Sequence, residues 1–127
     1  QRGVPERVAA RQAQRVAFTR QLNAIRLSSD YGSSGLWDNK GRNLHYDLLD
    51  LPFPLVRRIA AWQRDYDDTV TPPDKRSAAW WSRHDQERLA LARELQAAVG
   101  ANTAVSLYRR EGWVNVSEIP NTEGDRA

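Results

Sequence analysis

Apolar residues recur in two rhythms along this chain, and the changes between them mark its elements. Leu55, Ile59, Trp62 and Tyr66 fall at i, i+4, i+7 and i+11, one stripe of an amphipathic helix, while Arg57, Arg58 and Arg64 lie off it. Leu51-Pro52-Phe53-Pro54 precedes the stripe and suits a helix start, because proline fits a first turn but not a helix interior. Leu89, Leu91, Ala92, Leu95, Ala98 and Val99 supply the face of a second long helix, with Ser77 or Ser82 as its cap. Ser82 and Asp85 have capping-box-like spacing, and Gly100 suits a left-handed terminator. Trp80 and Trp81 near the start of this helix are expected to split, one inward and one partly exposed. Pro5 to Asn23 predicts a further helix rich in Ala, Arg and Gln, whose thin face of Val8, Ala9, Ala13, Val16, Ala17 and Leu22 predicts weak docking.

The second rhythm has a period of two. Ala24 to Ser29 alternates apolar and polar residues, which predicts a strand with Ile25 and Leu27 on one face. Thr103 to Tyr108 and Trp113 to Val116 predict a terminal hairpin around Arg109-Arg110-Glu111-Gly112, with Val105 and Leu107 facing the helices. Between the first strand and the first stripe lies the irregular run 25–54, IRLSSDYGSSGLWDNKGRNLHYDLLDLPFP. Within it, Asp38-Asn39-Lys40-Gly41 reads as a turn between Gly35-Leu36-Trp37 and Asn43-Leu44-His45-Tyr46, an irregular hairpin. The expected fold is α+β, a small antiparallel sheet covered by two or three helices. The expected division is a basic N-terminal helix at 1–24, one domain at 25–119, and a mobile tail at 120–127.

Composition narrows the function. The chain of 127 residues has enough apolar content for one modest core, and five Trp residues supply much of it. Cysteine is absent, which removes disulfides, zinc–thiolate sites and thiol catalysis together. No apolar run approaches membrane-spanning length and no signal-peptide core is visible, so a cytoplasmic protein with no membrane role is expected. The basic charge is local: residues 1–26 carry six arginines against Glu6, whereas the remainder carries 13 basic and 15 acidic residues. A mildly acidic body is thus joined to a basic segment, whose Arg7, Arg11 and Arg15 at i, i+4 spacing form a solvated face or contact nucleic acid.

Catalytic and ligand signatures are weak. His45 and His84 lie in different elements, and pairing either with Lys40 or Lys75 as a nuclease-like acid and base has no support from spacing. Asp30, Asp38, Asp47 and Asp50 do not follow the alternation of a calcium loop and are explained by turns. Ser29, Ser33 and Ser34 beside Gly32 and Gly35 lack the phosphate-loop and nucleophile-elbow patterns. No metal or cofactor is therefore expected. Aromatic residues interleaved with carboxylates look instead like a recognition surface: Asp30, Tyr31, Trp37, Asp38 and Tyr46, joined by Asp65, Asp67 and Asp68. The last three crowd a helix C-terminus, where the macrodipole disfavours them, so something other than helix stability placed them there. Trp37 and Tyr46 packing against each other across the sheet is the competing account of those two.

The run from Leu27 to Gly100, with SDYGSSGLWD, DLPFPL leading to WQRDYD, then WW and LQAAVG, resembles small stand-alone bacterial proteins. These in turn resemble the immunity proteins that accompany contact-dependent and secreted bacterial toxins. The resemblance covers roughly residues 25–117 and implies a non-catalytic inhibitor whose partner is a cognate toxin. The alternatives are nucleic-acid binding through the Arg-rich helix and a small nuclease using His45 or His84.

Overall fold

The computed structural model describes residues 3–109 and 112–121, with side chains from residue 5 onward. Helix α1 spans Gly3–Gln21, strand β1 Ala24–Leu27 and the two-residue strand β2 Leu36–Trp37. Helix α2 follows at Phe53–Asp68, α3 at Ala78–Val99, β3 at Ala104–Arg109 and β4 at Gly112–Asn115, with single 3-10 turns at Tyr46–Leu48, Pro73–Lys75 and Val116–Glu118. The chain is α+β, and the strands lie in the order β2-β1-β3-β4.

The sheet is mixed rather than wholly antiparallel. β2 on β1 and β4 on β3 are antiparallel, but the central pair β1 and β3 runs parallel, Ile25 beside Val105 and Leu27 beside Leu107. A parallel pair needs a long crossover, which the α2–α3 unit provides. The terminal hairpin forms as its pattern predicts, although residues 110 and 111 of its turn lie outside the described residues. The loop hairpin is reduced to a bridge between Trp37 and Asn43, and Tyr46 belongs to a 3-10 turn instead of a strand.

The alternation in β1 and β3 buries Ile25, Leu27, Val105 and Leu107 completely or nearly so, against Ile59 of α2 and Leu91 and Leu95 of α3. Ser77 caps α3 by accepting a hydrogen bond from the Trp80 amide, which leaves Ser82 inside the helix. Gly100 ends it at φ 84°. At Gly35, φ is 83° and a Cβ would stand 2.9 Å from the Trp62 ring, so the loop lies on the core only because this residue has no side chain.

Helix α1 is tied down by polar contacts as much as by Phe18 and Leu22. The buried Thr19 hydroxyl donates to the Arg15 carbonyl and accepts from the Asp50 amide at 2.8 Å. Arg15 Nε donates to the Asp47 carbonyl, and Gln12 donates to the Asp50 carboxylate, both at 2.9 Å. At the other end of the chain, Arg93 donates to the Pro120 carbonyl, and residues 122–127 of the expected tail lie outside the described residues.

Candidate functional site

The loop after β1 is laid onto the C-terminal end of α2. Gln63 on α2 is buried, and its Nε2 donates to the Asp30 carbonyl and the Asp67 carboxylate. The same Asp67 oxygen accepts from the Gly32 amide at 3.0 Å. Tyr31 leans on Tyr66 with ring centroids 5.0 Å apart, yet is still 54% exposed. Asp30, Tyr31, Asp65, Asp67 and Asp68 thus share one end of the molecule, with Asp30, Asp65 and Asp68 exposed and Asp67 half-buried.

The carboxylates at an unfavourable helix terminus are answered by a cation that lies 10 residues after Tyr66 in sequence. Arg76 is buried, with its guanidinium 4.7 Å from the Tyr66 ring and 4.3 Å from the Trp80 ring. Its Nη2 donates to the Tyr66 and Thr69 carbonyls at 2.8 and 3.1 Å and to the Tyr31 hydroxyl at 3.3 Å, and its Nε donates to the Thr71 carbonyl. Arg76 therefore supplies the donors that the last turn of α2 lacks, and places positive charge at the negative end of the helix dipole. It also reaches the exposed Tyr31, so the loop and the helix end are held as one body.

Beneath this cap, His84 is sandwiched between Trp62 and Trp80, with centroids 4.6 and 4.7 Å away and planes within 16° of parallel. Its Nε2 lies 2.7 Å from the Ser29 hydroxyl, and its carbonyl accepts from the Trp62 indole. Burial, with Arg88 and Arg76 nearby, pushes its pKa down to about 4, so the ring is neutral at pH 7. His45 is exposed at the start of its 3-10 turn. Trp80 and Trp81 do not divide into inward and outward: both are half-buried, packed edge to face.

The remaining predicted positions serve the loop itself. The Asp38 carboxylate accepts from the Lys40 and Arg42 amides at 2.9 Å and from Arg42 Nε at 2.7 Å. The Arg42 amide above all, then its guanidinium and the Lys40 amide, hold this carboxyl below the usual range against the opposing effect of burial. Trp37 donates its indole hydrogen to the Ser28 carbonyl, and its cross-strand neighbours are Arg26 and Asn43, not Tyr46. The Tyr46 hydroxyl donates to the Ser34 carbonyl, and burial raises its pKa to about 12. Arg64 and Asp67 of α2 both act on the Tyr46 phenol, and the residue is half-buried.

Sequence reasoning missed Arg76 and the role of His84. Arg76 sits in a polar, proline-containing link, and the only local sign was the density of aromatic residues on either side of it. Among the described residues no three His, Asp or Glu side chains converge as metal ligands, and no helix is long and apolar enough to cross a membrane. In the Arg7, Arg11, Arg15 row, Arg15 is spent on Asp47, and Arg11 is exposed. The chemistry this arrangement offers is recognition: a fixed aromatic ring in the midst of carboxylates, with the aromatic layer below preventing its collapse.

Residues 23–110 match a family model described as Serratia CdiI immunity protein-like, starting immediately after α1. No curated protein matches the chain.

Proposed function

The chain belongs to the Serratia CdiI immunity protein-like family, and from that premise we propose that it binds a cognate protein toxin and blocks it by occupying a basic surface, without chemistry of its own. The contact surface in this reading is the α2 end: Tyr31 as the aromatic anchor, Asp30, Asp65, Asp67 and Asp68 as its charged surround. The observation that carries it is the Arg76 cage. Three aspartates in the last turn of a helix oppose its dipole, and a buried guanidinium offsets them while fixing Tyr31. Helix stability alone gives no reason for that combination, whereas an acidic face directed at a cationic partner does.

Trp37 and Asp38 act in this reading as supports that keep the 28–46 loop in shape. The test is to purify the protein with the toxin domain encoded directly upstream, and to measure complex formation together with toxin activity. The proposal expects a stoichiometric complex that survives nuclease treatment and an inactive toxin. A fully active toxin at excess protein refutes it.

A further inference from the structure

Of the three aspartates that end α2, Asp67 is the one engaged by the loop. Asp65 and Asp68 are exposed, whereas Asp67 is half-buried and its Oδ1 accepts twice, from the Gly32 amide at 3.0 Å and from Gln63 Nε2 at 3.1 Å. Gln63 and Asp67 stand four residues apart on α2, so their side chains meet on one face of the helix. Gln63 is buried, and both hydrogens of its amide are used, because Nε2 also donates to the Asp30 carbonyl at 2.6 Å. Reversing the amide would set Oε1 against two acceptors, so its orientation is fixed. In that orientation Oε1 is buried without a partner. An unpaired buried oxygen costs stability that an apolar side chain on this face would not, so Gln63 serves something other than the core.

The two contacts bracket Tyr31. Asp30 precedes it and is held by its carbonyl, and Gly32 follows it and is held by its amide. The Asp30 carbonyl also accepts from the Ser33 amide at 3.2 Å and the Ser33 hydroxyl at 2.9 Å, closing a β-turn with Gly32 at φ 72° in its third position. Arg76 holds the hydroxyl end of the Tyr31 side chain, and the Gln63 and Asp67 pair holds the backbone on either side of it.

We propose that Gln63 and Asp67 are positioning residues of the recognition surface: they preset Tyr31 before the toxin arrives, and Asp67 acts through its acceptor oxygen rather than its charge. This rests on the α2 end being the toxin-binding face. A loop fixed in advance spares the complex the entropy of ordering it, so the clamp raises affinity without a contact of its own to the partner.

The test uses the full chain in two variants: Asp67→Asn, which removes the charge and keeps an acceptor oxygen, and Asp67→Ala, which removes both. The two carry the same net charge, so a difference between them reports the oxygen. In the free protein, amide exchange at Gly32, followed by NMR, is expected to speed up about tenfold in Asp67→Ala and less than about threefold in Asp67→Asn. Affinity for the toxin domain encoded directly upstream is expected to fall about tenfold in Asp67→Ala and less than about threefold in Asp67→Asn. Folding of both variants is read from the same spectra. Equal affinity losses in the two variants, full affinity in Asp67→Ala, or unchanged Gly32 exchange in Asp67→Ala would each overturn the proposal. An unmodified protein that leaves the toxin domain unbound refutes the toxin-binding reading, and this inference with it.

Discussion

Replacing Arg76 by Met keeps a long, flexible side chain between Tyr66 and Trp80 and removes every donor and the charge. The largest loss is at the Tyr66 carbonyl, which is buried and accepts from Nη2 at 2.8 Å; leaving it unsatisfied costs about 1–3 kcal/mol. The Thr69 and Thr71 carbonyls are nearer to solvent and rehydrate at little cost. Two guanidinium–ring contacts contribute about 0.5–2 kcal/mol each. Against these stands the relief of Nη1, which is buried without a partner, worth about 1 kcal/mol. The balance is a destabilisation of about 1–6 kcal/mol, with a middle value of about 3 kcal/mol. Urea unfolding followed by tryptophan fluorescence measures it, and at the middle value a thermal scan is expected to show Tm lower by roughly 12 °C. Arg76→Lys restores the charge but not the fork, so it recovers only part of the loss. A stability for Arg76→Met within about 0.5 kcal/mol of the unmodified protein, at equal m-value, would refute the reasoning that Arg76 closes the helix end.

Three further outcomes follow from the same contacts. Because the folded pKa of His84 lies near 4 and the unfolded value near 6.5, the unfolded chain takes up the proton first as pH falls; stability is intact above about 6.5, declines towards 4 and then levels off. In unfolding curves across that range, His84→Gln removes most of the decline, and an unchanged slope would show the imidazole is not the group responsible. Gly35→Ala forces a methyl group to 2.9 Å from the Trp62 ring at φ 83°, and is expected to cost about 2–4 kcal/mol in denaturant unfolding. Thr19→Val leaves the Asp50 amide without its acceptor at 2.8 Å, and hydrogen exchange should show α1 opening more readily by about 1 kcal/mol while the sheet amides are unaffected.

What the sequence made legible is what local pattern controls. The α2 stripe, the Gly100 terminator, the inward faces of β1 and β3 and the turn at Asp38 all follow from spacing or from residue chemistry within a few positions. The parallel pairing of β1 with β3 does not, since it joins residues some 80 apart in sequence and is decided by how the α2–α3 unit packs. Arg76 shows the same limit at the candidate site. Read locally it is one charge in a solvated link, and only the convergence of Tyr31, Tyr66 and Trp80 from three segments makes it a buried cap. Asp65, Asp67 and Asp68 stand out in the sequence because carboxylates at a helix C-terminus violate a local rule, and such violations mark positions shaped by something beyond stability, whereas Asp30 and Tyr31 are legible only through the aromatic–acidic pattern of their loop. Trp37 and Tyr46 carried no such sign, and their polar atoms are spent inside the loop.

The central claim is that the acidic α2 end, with Tyr31, is the face that meets the toxin. Its most direct test is the affinity for the toxin domain, by titration calorimetry, of three variants of equal thermal stability: Tyr31→Ala, the pair Asp65→Lys with Asp68→Lys, and Trp113→Ala on the far side of the sheet. The account predicts that each of the first two weakens binding by at least about tenfold, and that the third leaves it unchanged. Full affinity in both α2-end variants, with loss in Trp113→Ala, would contradict it and move the interface to the open face of the sheet.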